Sequence, residues 1–332
     1  MAPYPVLIIG CGSIGERHLR CFQATGRAAP TACDTSPALL ARMAETYGVK
    51  TFADLDAALA AGPLYAAVIC TPAPTHIPIA LKCLRAGLHV LIEKPLSTNL
   101  DGTDALLAGV DGSGRFAAVA YVYHAIPAAV AARAFLQSGA LGRPLHATIV
   151  AGQHFPTFRP AYRDIYYNNH ATGGGAIQDA LTHLINATEW LLDAPTTRLF
   201  CDADHLALEG VTVEDTVHLA ARNGDIMVSY AMNQHQAPNE TTIAIHCEGG
   251  SLAIELHRQQ WKTMARGEAD WTLHPAPSPD RDYPFTAQAN AFLDGTEGKP
   301  SSLCTVPEAI HTLKVNLAAL ESARTGRVVD LP

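Results

Sequence analysis

Lysine is scarce in this 332-residue chain: Lys50, Lys82, Lys94, Lys262, Lys299 and Lys314 are six of its 23 basic residues. Acidic side chains number 31, so the formal charge at neutral pH is −8. Such a surface is a poor partner for nucleic-acid phosphates and for anionic lipid. Long apolar runs are missing as well. Val6-Leu7-Ile8-Ile9 falls far short of the roughly 20 residues that cross a bilayer, and it lacks the basic flank and cleavage site of a secretory signal. The eight cysteines form no Cys-x-x-Cys pair and sit mostly in apolar runs. That pattern argues against a zinc site or a disulfide framework and for free thiols in a reducing cytoplasm. Fifteen histidines are scattered without a repeated ligand spacing, so no metal is expected. Internal repeats and low-complexity tracts are absent too.

What is present is a chain that is 48% hydrophobic, enough to bury large cores. At about 100–200 residues per domain its length points to two domains. Up to residue 122, short β-branched runs alternate with helical segments. Tyr4–Gly10, Pro30–Asp34, Val49–Phe52, Tyr65–Cys70, Leu88–Ile92 and Arg115–Tyr121 read as strands. Helices fall between them, with Ser36 as an N-cap, Pro37 at the first helical position and Gly48 as a C-cap. Strict alternation implies a doubly wound parallel sheet with right-handed crossovers.

The rhythm changes in residues 123–332. A helix near Pro127–Gln137 and a strand at Leu145–Gly152 lead to a polar, aromatic loop from Gln153 to His170. The glycines 173–175 then open a long amphipathic helix ending near Leu192. Strand-like runs follow at Thr196–Asp202, Val213–Ala221, Asp225–Met232, Glu240–Cys247 and Ser251–Leu256 without helices between them. That succession predicts an α+β domain with a mostly antiparallel sheet. Trp271–Pro284 reads as a proline-rich loop, and helices near Phe285–Leu293 and Thr305–Thr325 close the chain.

Gly10-Cys11-Gly12-Ser13-Ile14-Gly15 fits G-x-G-x-x-G between a strand and a helix. The first glycine permits the tight turn, the second lets backbone approach a pyrophosphate, and the third allows close helix–strand packing. The helix N-terminus supplies N–H donors to the phosphates. Asp34, nineteen residues past Gly15, ends the second strand, where an acid accepts the adenosine ribose hydroxyls and repels a 2′-phosphate. The first domain is therefore read as a Rossmann domain binding NAD rather than NADP.

Ala66-Ala67-Val68-Ile69-Cys70-Thr71-Pro72 with His76, and Ala86-Gly87-Leu88-His89-Val90-Leu91-Ile92-Glu93-Lys94-Pro95, resemble the Gfo/Idh/MocA family of sugar and polyol oxidoreductases. Gly173-Gly174-Gly175-Ala176-Ile177-Gln178-Asp179, with His183 four residues on, is similar to that family's substrate-side motif. The resemblance covers nearly the whole chain. It implies that Thr71, Pro72 and His76 line the cofactor, that Glu93 lies near the nicotinamide ribose, and that Lys94 contacts nicotinamide and substrate. It further implies a Lys94–Pro95 bond that is often cis, and an open-faced second sheet used for dimer or tetramer contacts.

The residues suit those roles. Lys94 follows a buried strand at its C-terminal end, the edge where doubly wound folds bind ligands. Asp179 and His183 stand at i and i+4, on one helix face, where a carboxylate orients an imidazole or both grip neighbouring hydroxyls; histidine suits acid–base work near neutrality. In Tyr162–His170 the Tyr rings are expected to stack on a sugar face, while Arg163 and Asn168 offer donors; Tyr121 and Tyr123 join Tyr162 as candidate substrate contacts. His124 stands where many relatives of the family carry arginine, and His183-Leu184-Ile185-Asn186 departs from the His-Glu-Ile-Asp of one subgroup. The leading expectation is an NAD-dependent dehydrogenase of a carbohydrate hydroxyl. Two rivals remain: a redox-neutral glycoside hydrolase working by transient oxidation and elimination, and a cofactor-sensing regulator.

Overall fold

The computed structural model describes every residue except Met1, Ile165, Ser278 and Pro279. It divides into two compact units, Met1–Ala125 with Pro279–Ile310, and Ile126–Ser278 with His311–Pro332.

The first unit runs β1 (Tyr4–Ile9), α1 (Ser13–Ala24), β2 (Ala28–Cys33), α2 (Pro37–Tyr47), β3 (Thr51–Phe52), α3 (Leu55–Ala60), β4 (Ala66–Ile69), α4 (His76–Arg85), β5 (His89–Ile92), α5 (Thr103–Ser113) and β6 (Ala117–Val119). Among the described residues the strands lie in the order β6-β5-β4-β1-β2-β3, and the two-residue strand Cys304–Thr305 adds antiparallel to β6. β1 pairs in parallel with β2 on one side and β4 on the other, so the chain reverses its winding there. The crevice at such a switch point is where doubly wound sheets bind ligands. Successive residues of β1 feed opposite cores. Leu7 and Ile9 pack with Ile69, Ile92 and Val119, while Val6 and Ile8 pack with Leu19, Phe22, Val68 and Phe292. Burial on both faces explains why these strands read as continuous apolar runs.

A single cut after residue 122 does not describe the division, because residues 279–310 belong by contact to the first unit. The helix Tyr283–Thr296 packs its Phe292 edge-on to Phe22 of α1 at 6.0 Å. Asp282 anchors its start by accepting from Arg20 Nε at 2.5 Å and Nη2 at 2.8 Å.

The second unit holds α6 (Pro127–Gln137), β7 (Pro144–Gly152), β8 (Thr196–Asp204), β9 (Thr216–Asn223), β10 (Ile226–Asn233), β11 (Glu240–Cys247), β12 (Gly250–Glu255), β13 (Gln260–Ala265) and β14 (Thr272–Pro275). The sheet order is β14-β13-β12-β11-β7-β10-β9-β8, with Val329–Asp330 added to β8. Among the described strands of this sheet only the β7–β10 pair is parallel. Two segments depart from the sequence reading. β14 forms inside the proline-rich stretch, because Trp261 stacks on His274 at 4.0 Å and Pro275 sits at the end of an edge strand, where its missing N–H is tolerated. The polar loop contains short helical turns at Phe155–Phe158, Tyr162–Asp164, Tyr166–Asn168 and His170–Thr172.

Strand register places Phe200, Ala220, Ser229, Thr148, Ala244, Ala253, Lys262 and Leu273 in one row across a single face. Phe200, Leu273, Val150 and Met227 are exposed there. The opposite face is covered by helices, with Phe135 of α6 against Trp261 at 5.4 Å.

Asp215 ties the β8–β9 connection. It is fully buried and accepts from the backbone N–H groups of Leu206, Ala207 and Leu208 at 3.0, 2.7 and 2.8 Å, and from the Thr216 hydroxyl at 2.8 Å. Burial alone would raise its carboxyl, but these donors hold it below the usual aspartate value. Asp215→Ala should therefore cost about 3 kcal/mol at pH 7, since buried donors lose their acceptor. A depressed carboxyl stabilises above its unfolded value and loses that contribution as pH falls through its folded one. The gap between wild type and variant, read by denaturant unfolding, should shrink below about pH 4; a gap independent of pH would contradict this role.

Candidate active site

β1 delivers the chain into a turn at Gly10, and Gly12 caps α1 without a side-chain partner. The first intrahelical bond runs from Glu16 N–H to the Gly12 carbonyl at 2.9 Å, so the N–H groups of Ser13, Ile14 and Gly15 find no acceptor within the helix. The two later glycines differ in kind. A Cβ on Gly15 would lie 1.8 Å from the Gly10 carbonyl oxygen, whereas a Cβ on Gly12 meets no atom within 4 Å. Gly15 is a packing requirement; Gly12 borders open space at a helix N-terminus, a cradle that suits a pyrophosphate. Asp34 accepts from Cys11 N–H at 2.6 Å and Ser36 N–H at 2.8 Å. It thereby joins the end of β2 to the glycine turn, and each carboxylate oxygen retains a further lone pair for a ribose hydroxyl.

At the end of β5 stands a second constellation. Glu93 is 6% exposed. One oxygen lies 2.7 Å from His18 Nε2, and the other accepts from the Lys94 backbone N–H at 3.0 Å. The Lys94–Pro95 bond is cis, as the family resemblance implied. His76, also buried, has Nε2 2.7 Å from the Thr71 carbonyl and Nδ1 3.0 Å from the Pro95 carbonyl. Burial pulls this imidazole below the ordinary histidine value, against the opposing pull of those carbonyls and Glu93. His76 thus bridges the Thr71-Pro72 and Lys94-Pro95 turns, and Thr71 Oγ1 receives the Thr75 hydroxyl at 2.7 Å. Lys94 is half-buried. Sequence reasoning missed His18: the available signal was a lone histidine in the buried stripe Gly15, His18, Leu19 and Phe22 of α1.

In the second unit the long helix opens with a π-turn at Ile177–Leu181 before its α-helical part, Thr182–Leu192. Such turns mark functional sites often enough to notice. Asp179 lies in the π-turn and His183 just beyond it, both half-buried. Tyr166 donates its hydroxyl to Asp179 Oδ1 at 2.7 Å. The glycine turn rests on Glu214, whose Oε1 accepts from Ile177 N–H at 2.9 Å while Oε2 lies 2.5 Å from His170 Nε2. Tyr166 and His170 fall in the loop that the sequence offered for substrate recognition, but neither was picked individually and their partners were not foreseen; Glu214 was not selected at all.

The substrate candidates fare unequally. Tyr162, expected to offer a ring face, is 1% exposed. It packs with Phe155, Tyr167, Leu208, Val211 and Val213 and donates its hydroxyl to the Glu209 carbonyl at 2.6 Å. That small core beneath the loop corrects the expectation. Arg163 stays exposed beside Glu209 and over the Tyr162 ring; Asn168 is exposed and donates to the Arg163 carbonyl at 2.8 Å. Ile165 of the same loop lies outside the described residues. In the first unit Tyr121 is part of the core, and burial pushes the Tyr123 phenol up to about 12. His124 is buried with Nδ1 2.9 Å from the Ser302 carbonyl.

Comparison with known proteins agrees with this anatomy. Residues 5–121 match the family model of the GFO/IDH/MocA oxidoreductases with their NAD-binding Rossmann fold, and residues 129–253 match the family's C-terminal domain. The chain is 30% identical over 215 residues to inositol 2-dehydrogenase of Rhodococcus erythropolis, a match covering 62% of this chain and 58% of that protein. It is 24% identical over 286 residues to levoglucosan dehydrogenase of Pseudarthrobacter phenanthrenivorans, covering 76% and 73%. Its fold superimposes on a levoglucosan dehydrogenase solved with NADH and levoglucosan, with a TM-score of 0.88 at 21% identity over 99% of this chain and 100% of that one.

The contrast between the glycines yields a clean test of the cradle. Gly12→Ala adds a methyl that meets no protein atom but stands where a pyrophosphate needs backbone approach. Calorimetry should show NAD affinity lowered at least about tenfold, with the thermal midpoint within about 2 °C of wild type. Undiminished affinity would remove Gly12 from the cradle.

Proposed function

The chain belongs to the Gfo/Idh/MocA family of oxidoreductases, and from that premise we propose that it is an NAD-dependent dehydrogenase acting on a hydroxyl of a sugar, polyol or sugar derivative. The observation that carries the reading is the open cradle at Gly12, with Asp34 already tied to the same turn. Bound NAD supplies the hydride acceptor. The chain's own residues do the rest. Gly10, Gly12, Ser13, Ile14 and Gly15 receive the pyrophosphate. Asp34 accepts the adenosine ribose hydroxyls and disfavours a 2′-phosphate, which selects NAD over NADP. Thr71, Pro72, His76 and Glu93 shape the cofactor side, with Glu93 and His76 gripping the turn that carries Lys94.

We assign the hydroxyl proton to Lys94 or His183, and to Asp179 either a grip on the sugar or the orientation of His183. Arg163, Asn168 and Tyr123 remain candidates for substrate recognition. Tyr162 and Tyr121 act through packing. For the exposed face of the second sheet, where Val150, Phe200, Met227 and Leu273 meet solvent, we infer contact with a second copy of the chain. No helix among the described residues is long and apolar enough to cross a membrane, and the eight cysteines are free and buried, which fits a reducing cytoplasm.

The test is turnover across a panel of inositols, anhydrosugars, free sugars and aryl glycosides, following NADH absorbance together with product mass. A dehydrogenase accumulates NADH in step with ketone; release of aglycone without NADH would identify redox-neutral cleavage instead. Lys94→Ala should lower kcat at least about a thousandfold, within the range spanned by general acid–base catalysis, and leave the NAD dissociation constant within about threefold. Near-normal turnover in that variant would overturn the role given to Lys94.

A further inference from the structure

We propose that His170 and Glu214 form a latch that positions the Asp179 turn, a pair of positioning residues that hold the substrate-side glycine turn without touching substrate. The relevance of Asp179 rests on the dehydrogenase reading; the latch itself rests on contacts within the second unit.

Glu214 has a side chain only 6% exposed, and it meets the turn at two points and His170 at a third. Its Oε1 accepts from Ile177 N–H at 2.9 Å, its own carbonyl accepts from Ala176 N–H at 2.9 Å, and its Oε2 lies 2.5 Å from His170 Nε2. The approach is so close that a Cβ on Gly175 would lie 2.5 and 2.6 Å from the two carboxylate oxygens, and Gly175 has φ +87°. The last glycine of the triplet is therefore required by this carboxylate as well as by backbone conformation. Asp179 hangs from the same residue, since its N–H donates to the Gly175 carbonyl at 3.0 Å. His170 also grips the turn by its backbone: its carbonyl accepts from Gln178 Nε2 at 3.0 Å. The two residues preceding Asp179 are thus held by Glu214 and His170 respectively.

A buried carboxylate needs a partner, and the partner here is a histidine. The Glu214 bond raises the His170 imidazole above the ordinary histidine value, burial opposing and the Glu214 charge assisting. Its sign is definite. A raised histidine contributes fully below its unfolded value and loses that contribution as pH rises through its folded one. Tyr167 and Cys201 both feel the Glu214 charge; Tyr167 also faces Asp179, Asp215 and Tyr162, and Cys201 faces Asp202. Burial first, then these carboxylates, pushes Tyr167 up; burial pushes Cys201 up to about 12; Asp215 is held low. His183, beyond Asp179, is a second imidazole, which is why the decisive readout is not a rate.

The experiment is amide hydrogen exchange of the intact protein at pH 6 and pH 9, with rates corrected for intrinsic chemical exchange. In wild type, protection of residues 174–181 should fall at least about threefold between the two conditions as His170 loses its charge. His170→Gln should show the lower protection at both pH values. Glu214→Gln keeps an acceptor for Ile177 N–H and an amide donor for neutral His170, so its protection should not fall as the pH rises over this range. An equal fall in wild type and His170→Gln, or protection unchanged by pH in wild type, would overturn the latch. If no substrate in the panel turns over, the dehydrogenase reading fails while the exchange result still judges the latch. If turnover is found, His170→Gln should raise KM more than it lowers kcat.

Discussion

A carboxylate removed from water must be gripped by donors, and in each unit of this protein such a grip holds a turn that bears on the candidate site. Glu93 is held by His18 Nε2 and by the backbone N–H of Lys94. Glu214 is held by His170 Nε2 and by the backbone N–H of Ile177. In both cases the carboxylate links an imidazole to a turn that carries a candidate catalytic side chain. The His18–Glu93 pair is buried on both sides, where removing one partner costs several kcal/mol, whereas His170 keeps nearly half of its side chain in solvent.

The first grip joins the glycine turn and the Lys94 turn through α1. The helix that opens the pyrophosphate cradle with Gly12 also buries His18 one turn past Gly15, and His18 holds the carboxylate beside Lys94. The head of α1, proposed to receive the phosphates, and the Lys94 turn at the end of β5 are thus parts of one packing problem. His76 adds a brace between the Thr71 and Pro95 carbonyls. In the second unit the π-turn adds a residue to the helix at Asp179, and Tyr166 meets the side chain so displayed.

Much of this was legible in the sequence because its causes are local. Glycines 10, 12 and 15, the Ser36 cap and the apolar strand runs each mark an element within a few residues, and the structure places α1, α2 and β1 where those marks put them. Local marks cannot show partners distant in sequence. His18 and Glu93 are 75 residues apart, and His170 and Glu214 are 44 apart. The same limit hid the return of residues 279–310 to the first unit, since the apolar stripe of Tyr283–Thr296 does not name the surface it covers. Tyr162 was misread for a related reason. An aromatic ring in a polar loop looks available, but Leu208, Val211 and Val213 arrive from a later segment to bury it. The π-turn left no mark either, because its periodicity differs from that of an α-helix by one residue.

The central claim is that this chain moves a hydride from a carbinol carbon to nicotinamide, and isotope transfer tests it most directly. With the carbohydrate that turns over deuterated at the carbon bearing the reacting hydroxyl, the account predicts NADH carrying one deuterium at the nicotinamide C4 and an equal amount of ketone. NADH free of deuterium, or product formed with the label lost to water and no NADH accumulated, would contradict it.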